Sequence, residues 1–396
     1  MNMNAAETID REQLIGIIQG LIGIPSVSGD EAAIMQHVSN LFSEAGVEHV
    51  LTARDPNRPN VIASIGNGNG PIIAMNGHLD TVPVSDAGSW RTDPFEGVLS
   101  EDGKRIYGRG SSDMKGAVGV MIYTLLALKD APLNGTLQAH IVSDEERGAD
   151  EGTKHVLAEI EAGRLPRPDY VLIGEGSQLK VRNAERGMCG FRVRFIGRAS
   201  HTAAARVTGI NAIALAAKGI LALEGDLDMD HPAVGKPVIS VNLIEGGIVS
   251  NVVPGECTIT VDRRTIPGET QESVMADVIA KLDAVKATDP NFKYEILPSR
   301  EDGHYTPANI TEETSPIVVA LQDSIESVLG REPEFFRTWA GATDGRLYRF
   351  AGIDTVGFGP SGEAAHGANE AVFVEDLIKQ AQVYIATARR LLGSAS

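Results

Sequence analysis

Short apolar runs alternate with helical patterns through the first half of the chain. The runs NVIASIG (60–66), GPIIAMNGHLD (70–80), TLQAHIVSDEE (136–146) and DYVLIGEG (169–176) are bounded by Gly, Pro, Asn or Asp, as buried strands are. Between them, residues 11–24, 31–46 and 113–131 have the apolar spacing of helices. Strands that alternate with helices predict an α/β domain with a mostly parallel sheet sandwiched by helices.

A different pattern begins near residue 182. CGFRVRFIGRA (189–199) and ECTITVDRRTIP (256–267) alternate apolar with polar residues, which indicates a sheet with one face in water. Two helical patterns accompany them, and the alternation of helices with short apolar runs returns near the end of this region. We therefore expect an inserted α+β dimerisation or lid domain at residues 182–297. The catalytic domain would comprise residues 1–181 and 298–396.

Composition narrows the possible partners and the compartment. The 396 residues are 42% hydrophobic and 22% charged, and no apolar run reaches the ~18–20 residues of a membrane span. The net charge of −18, without a basic run, argues against nucleic acid and anionic membranes as partners. Two cysteines and a polar, acidic amino terminus without signal-peptide character favour a reducing cytoplasm. The acidity fits either solubility or carboxylates that converge on cations, and charge alone does not decide between them.

Ionisable side chains follow the carboxyl ends of the predicted strands. In an open α/β sheet, ligands bind at that edge. Because so many ionisable groups would repel one another, a cation among them is expected. The residues are His78, Asp80, Asp113, Glu145, Glu146, Glu175 and His366.

Imidazole and carboxylate ligands suit zinc or another first-row divalent ion, whereas calcium prefers oxygen alone. Two His, one Asp and two Glu are more ligands than one tetrahedral ion needs, and they are enough for two ions. One carboxylate would bridge the two ions, and the remaining Glu of the adjacent pair would be free to act as a general base. Each residue alone has an ordinary interpretation, such as a structural histidine, a solvated loop, a helix N-cap or an Asx-turn. Their joint occurrence at strand ends favours the metal site.

Successive motifs resemble one known family, in the family's order, from about residue 10 to about residue 390. The family is that of acetylornithine deacetylase, succinyl-diaminopimelate desuccinylase and glutamate carboxypeptidase, which are two-metal amidohydrolases. The motifs are GHLDTVP, WRTDPFEG, YGRGSSDMKG, SDEERG, GEGS, GRASHT, SNVVPGE and AHGANE.

The resemblance implies a role for each residue of the cluster. His78, Asp113 and Glu175 would hold one metal, and Asp113, Glu146 and His366 the other, with Asp113 bridging. Asp80 would orient His78 by accepting its hydrogen bond, and Glu145 would be the general base. The metals would be two divalent ions, zinc first, with cobalt or manganese possible. The peptide bond after Asp113 is expected to be cis.

The resemblance also implies substrate contacts outside the metal cluster. His201 would polarise the scissile carbonyl across a homodimer interface formed by the inserted domain. Asn251, Arg264, Gly341 and Thr343 would face the substrate, with the Arg264 fork suited to a carboxylate. Without the resemblance, His201 would be a surface loop residue and Arg264 an ordinary strand charge. Ala342 departs from the family's usual Gly-Gly-Thr-Asp, which weakens that contact.

Two substrate classes remain open within one reaction class. The first is an N-acyl amino acid, cleaved at the amide next to a free carboxylate by a deacetylase or desuccinylase. The second is a dipeptide-like substrate of a carboxypeptidase or dipeptidase. A binding protein on a retired hydrolase scaffold would lack a ligand or the base, and a metal store would need neither the base nor Arg264. All of these residues are present.

Overall fold

The computed structural model describes residues 8–85, 87–299, 305–337 and 341–393. The chain divides into two compact units. The first unit comprises Met1–Asn183, Thr311–Phe336 and Thr343–Ser396, and the second comprises Ala184–Ile310 and Arg337–Ala342.

The first unit combines a six-stranded sheet, a small four-stranded sheet and the helices around them. Its strands are β1 (Glu48–Thr52), β2 (Asn60–Gly66), β3 (Ile72–His78), β4 (Val98–Leu99), β5 (Arg105–Tyr107), β6 (Thr136–Val142), β7 (Tyr170–Ile173), β17 (Asp354–Gly357), β18 (Gly362–Glu363) and β19 (Ala371–Phe373). Its helices are α1 (Arg11–Ile22), α2 (Ala32–Ala45), α3 (Gly116–Leu128), α4 (Thr153–Glu161), α7 (Pro316–Leu329), α8 (Gly345–Phe350) and α9 (Val374–Leu392).

The larger sheet has the order β1-β2-β6-β3-β7-β17. The pairings of β3 with β6, β3 with β7, and β7 with β17 are parallel, whereas β1 and β2 form an antiparallel edge. Strand β3 is buried along most of its length, which explains its continuous apolar run. Its parallel neighbours bring their carboxyl ends to the same edge as His78, where ligands bind in such sheets. The predicted α/β class is confirmed.

Helix α3 is buried on nearly every side. It contacts α1 and α9 as well as the sheet, so little of its surface is left for water and its sequence is mostly apolar. Helix α9 has one apolar face and begins at Val374.

The second unit is an antiparallel sheet covered by helices on one face. Its strands are β8 (Ala184–Glu185), β9 (Gly187–Ile196), β10 (Ser200–His201), β11 (Val238–Gly246), β12 (Val252–Val253), β13 (Glu256–Thr265), β14 (Tyr294–Pro298), β15 (Tyr305–Thr306) and β16 (Asn309–Ile310). Helices α5 (Ala212–Leu223) and α6 (Gln271–Thr288) complete it. The main order is β11-β13-β9-β14, and β9 and β13 alternate between buried and partly exposed residues.

The second unit extends past the expected boundary at residue 297. Strand β14 continues to Pro298, β15 pairs with β9, and β16 pairs with β8, so residues up to 310 belong to this unit. These pairings join short segments that carry too few residues for a strand pattern to stand out in the sequence.

Among the described residues, no helix is long and apolar enough to cross a membrane. The cytoplasmic location stays a prediction.

Candidate metal centre

His78 is the last residue of β3 and is almost completely buried. Its Nδ1 lies 2.9 Å from the main-chain oxygen of Asp80, which can only accept, so this nitrogen carries the proton. In the neutral ring, the lone pair of Nε2 is therefore available to a metal ion. Nε2 lies 3.2 Å from Asp113 Oδ1 and 3.2 Å from Glu175 Oε1. An imidazole held in this tautomer beside two carboxylates has the arrangement of a metal ligand.

Asp113 presents one carboxylate oxygen to each of two histidines. It lies in the turn before α3, and the expected cis peptide bond between Asp113 and Met114 is present. Oδ1 faces His78 Nε2 at 3.2 Å, and Oδ2 lies 3.1 Å from Nε2 of His366. A carboxylate in this position is suited to bridge two ions.

The second histidine, His366, lies in the segment between β18 and β19 and has φ 64, a left-handed conformation. Its Nε2 lies 2.9 Å from Glu146 Oε1. Glu146 follows β6 and Glu175 follows β7, so each glutamate stands just beyond a strand parallel to β3. The His366 side chain is 51% exposed, against 1% for His78. The cluster around His366 is therefore the more open one.

The side chains present fit a pair of divalent ions. Two groups, His78 with Asp113 and Glu175, and Asp113 with Glu146 and His366, each bring their ligand atoms within 4.8 Å of one another. Both groups mix nitrogen and oxygen donors, as zinc and its first-row neighbours accept.

The electrostatics of the cluster favour positive charge. Burial lowers the pKa of His78, but the surrounding carboxylates, Asp113 foremost, outweigh burial and raise that pKa well above its ordinary value. Burial and repulsion from Asp113 raise the pKa of Glu146 to about 7, against the attraction of the histidines. Cations placed here would relieve that repulsion.

Glu145 belongs to neither ligand group. Burial is the main cause that raises the pKa of its carboxyl well above the usual range, and nearby carboxylates, including Asp344, add to the effect against the attraction of His78. A carboxylate of raised pKa beside a group of candidate metal ligands has the properties of a general base.

Asp80 holds more groups than His78 alone. Its carboxylate accepts the main-chain N–H groups of Glu145 (3.0 Å) and Glu146 (3.2 Å) and the hydroxyl of Ser28 (2.7 Å). Its Oδ1 lies 3.4 Å from His78 Nδ1, whereas the main-chain oxygen of Asp80 lies 2.9 Å from the same nitrogen. Asp80 therefore connects the end of β3 to the turn that carries both glutamates.

In the second unit, the structure brings His201 and Asn251 together. Strands β10 and β12 pair, and the main-chain oxygen of Asn251 accepts the main-chain N–H of Thr202 at 3.0 Å. Nδ1 of His201 accepts the N–H of Ala203 at 3.1 Å, so the neutral ring carries its proton on Nε2. His201 is exposed. Its Nε2–H is thus a donor suited to a developing negative charge.

The other residues expected to contact the substrate are Arg264, Gly341 and Thr343. Arg264, near the end of β13, donates from Nη2 to Asp262 Oδ2 at 3.1 Å and keeps 36% of its side chain exposed. Gly341 belongs to the second unit, whereas Thr343 belongs to the first. Thr343 is buried, and its hydroxyl accepts the N–H of Gly345 at the start of α8.

Some supporting residues were not found from the sequence. Ser28 contacts Asp80, and Arg58 bonds both Glu31 and Asp144, which precedes Glu145. These contacts join segments 27 to 86 residues apart, and no local pattern announces them. A further residue, Glu370, is the last residue of the AHGANE motif. Its place in that motif could have indicated a function, but no role was predicted for it.

A family model covers most of the chain. The model of peptidase family M20/M25/M40 matches residues 74–390, which includes every residue of the metal cluster. The chain is a member of peptidase family M20/M25/M40. As a member of this family, it is a metal-dependent amidohydrolase that acts on an acyl amino acid or a peptide.

A relative of similar length supports this membership, and solved structures share the fold. A succinyl-diaminopimelate desuccinylase of Marinobacter nauticus is 30% identical over 376 residues, which is 93% of this chain and 96% of the relative. Aminopeptidase PepT from Bacillus cereus has TM-score 0.76 at 21% identity, over 97% of this chain and 99% of that one. The YXEP protein of Bacillus subtilis, described as a dinuclear metal-binding peptidase from the M20 family, has TM-score 0.70 at 20% identity, with 97% and 99% covered. The two structures show the fold.

Proposed function

We propose that this M20 family member hydrolyses the amide bond of an N-acyl amino acid next to a free carboxylate, as a deacetylase or desuccinylase does. The observation that carries the proposal is the Asp113 carboxylate, which offers one oxygen to each ligand group while Glu145 stands outside both. The name of the Marinobacter nauticus relative, a succinyl-diaminopimelate desuccinylase, supports an acyl amino acid as the substrate.

The proposal includes two divalent ions held by five residues. His78, Asp113 and Glu175 would hold one, and Asp113, Glu146 and His366 the other. When bound, such ions act as Lewis acids toward the scissile carbonyl and make water a better nucleophile near neutral pH. We propose zinc as the native ion, with cobalt and manganese as substitutes, because mixed nitrogen and oxygen donors accept each of them.

Glu145 would move the proton. Its carboxylate takes a proton from the attacking water as the new C–O bond forms at the carbonyl carbon. It then gives that proton to the leaving nitrogen as the C–N bond breaks, so that the products are a carboxylic acid and an amine. Asp80 would fix the position of Glu145 through the hydrogen bond to its main-chain N–H.

The second unit would supply binding and charge stabilisation. His201 would donate from Nε2 to the oxyanion, and Asn251 and Gly341 would contact the substrate, as would Thr343 of the first unit. Arg264 would pair with the substrate carboxylate in exchange for Asp262.

We also propose a homodimer through the second unit. Leu243 and Ile244 on the edge strand β11 are 59% and 52% exposed, and Leu221 of α5 is 81% exposed. An exposed apolar edge strand is a template for pairing with another chain. Sedimentation velocity at micromolar protein is expected to give the mass of two chains, and a single-chain mass would contradict the dimer.

A peptidase activity is the second candidate, since the matching family model is that of a peptidase family. The substrate would then be a dipeptide-like amide, cleaved by the same residues to release a carboxyl-terminal amino acid such as glutamate.

One panel separates the two candidates. Metal-loaded protein is offered N-acetyl and N-succinyl amino acids beside dipeptides, with and without a chelator. We expect release of acetate or succinate, abolished by the chelator and restored by zinc or cobalt. Release of free amino acids from dipeptides alone would favour the peptidase. No turnover of any substrate would contradict both.

A further inference from the structure

We propose that Glu370, acting with Arg109, is a positioning residue that holds Asp113 and His366 in the arrangement required for metal binding. The inference rests on the proposed metal ligands and goes beyond them. It concerns a buried acid–base pair that is itself in neither ligand group.

Glu370 fixes the main chain of the segment that carries Asp113. Its Oε1 accepts the N–H groups of Ser112 at 2.9 Å and of Asp113 at 3.1 Å. Its Oε2 accepts the N–H of Gly110 at 3.0 Å. A single carboxylate thereby satisfies three main-chain donors in the segment that leads to the bridging side chain.

Arg109 extends this contact to the second histidine. Its Nη1 donates to Glu370 Oε2 at 2.6 Å, and its Nη2 donates to the main-chain oxygen of His366 at 3.2 Å. The guanidinium lies over the Trp90 ring, 5.4 Å from its centroid. The planar fork therefore ties the Asp113 segment to His366, another member of the same ligand group.

Two features favour positioning over simple stabilisation. The side chains of Arg109 and Glu370 are 2% and 1% exposed, and a pair so deeply buried gains little stability over well-packed apolar residues. His366 also takes a left-handed φ of 64, which a non-glycine residue adopts at a cost and which needs an external tether. The Arg109 bond to its oxygen is such a tether.

Cobalt(II) titration, followed by visible absorption, tests the inference without substrate. We expect the parent to bind two equivalents. Glu370→Gln loses the charge, and its amide nitrogen replaces one of the two accepting oxygens, so that a donor faces N–H groups that the carboxylate accepted. Its dissociation constant for one equivalent should rise about 10–100-fold, the usual effect of losing a group that orients a ligand, and the band shape should change.

The matched control is Glu363→Gln. Glu363 pairs with Arg105 at 3.2 Å in a more exposed position, so it links β18 to β5 without contacting the main chain of a proposed ligand. Its cobalt affinities are expected within about twofold of the parent, since exposed pairs contribute little.

A double variant, Arg109→Gln with Glu370→Gln, separates positioning from folding because it leaves neither charge unpaired. We expect it to fold and to bind one cobalt equivalent weakly. Parent-like affinities and spectrum in the folded double variant would overturn the inference. If neither variant folds, the pair serves folding, and the inference is also overturned. Failure of the parent itself to bind cobalt would instead refute the proposed metal site, and with it this inference.

Discussion

Asp80 concentrates several tasks on one carboxylate. It accepts hydrogen bonds from the main chain of Glu145 and Glu146 and from Ser28, and it stands beside the Nδ1 of His78. The proposed base and two proposed ligands therefore depend on a residue that would contact neither metal nor substrate. Its pKa is lowered even though burial opposes this, because His78 and the other donors stabilise its charged form.

Replacing Asp80 with Asn tests this role at the scale of one residue. The amide has a single acceptor oxygen, so it cannot satisfy all of these donors. We expect zinc affinity, measured by competition with a chromophoric chelator, to fall about 10–100-fold. Ser28→Ala, which removes one donor and leaves the carboxylate, should cost less. Equal affinity in the parent and Asp80→Asn would contradict the assignment.

At the scale of elements, the turn between β6 and α4 carries the proposed base, Glu145, and one proposed ligand, Glu146. Asp144 in this turn has φ 67, and its Oδ1 accepts from Arg58 Nη2 at 2.6 Å. Arg58 also bonds the fully buried Glu31 through both Nε and Nη2. One guanidinium thus anchors the turn to the segment that precedes α2.

Arg58→Met should destabilise the first unit by about 3 kcal/mol, because it leaves the buried Glu31 carboxylate without its cation. The free energy of urea unfolding measures this change. The control is Arg54→Met, which removes a guanidinium that is 56% exposed and 3.7 Å from Glu151. Its effect should stay below about 0.5 kcal/mol. Equal losses in the two variants would contradict the anchoring role.

The elements also show how far the sequence alone reaches. The apolar run before His78 and the apolar helix after Asp113 were readable because burial on both faces leaves a continuous pattern. Once these strands were predicted, the ionisable residues at their carboxyl ends could be identified as a candidate site. The contacts of Ser28, Arg58 and Glu370 did not, because they depend on how distant segments meet. Strands β15 and β16 were missed because two residues carry no period.

At the scale of the whole molecule, a buried histidine makes stability depend on pH. His140 lies on β6, with Nδ1 2.8 Å from the Tyr348 hydroxyl and Nε2 3.0 Å from Gln138 Oε1. Burial lowers its pKa from 6.5 to about 3. Between these values the unfolded chain binds a proton that the folded chain does not, so its contribution to stability is complete above pH 6.5 and is lost as pH falls.

The His140→Gln variant isolates this contribution. The free energy of unfolding of the parent should fall, between pH 6.5 and pH 5, by about 1.6 kcal/mol more than that of the variant, since the unfolded histidine is half protonated at pH 6.5 and almost fully protonated at pH 5. Urea unfolding followed by circular dichroism at both pH values gives the two slopes. Parallel slopes would show that His140 titrates alike in the folded and unfolded chain and would contradict the assignment.

The central claim is that Glu145 is the general base of a two-metal amidohydrolase. The most direct test compares kcat of the parent and Glu145→Gln on the best substrate of the panel, with the bound zinc of each counted. We predict two zinc ions in both proteins and a kcat about 10³-fold lower in the variant, since the amide cannot accept the proton. Parent-like turnover in a fully metal-loaded Glu145→Gln would contradict the account.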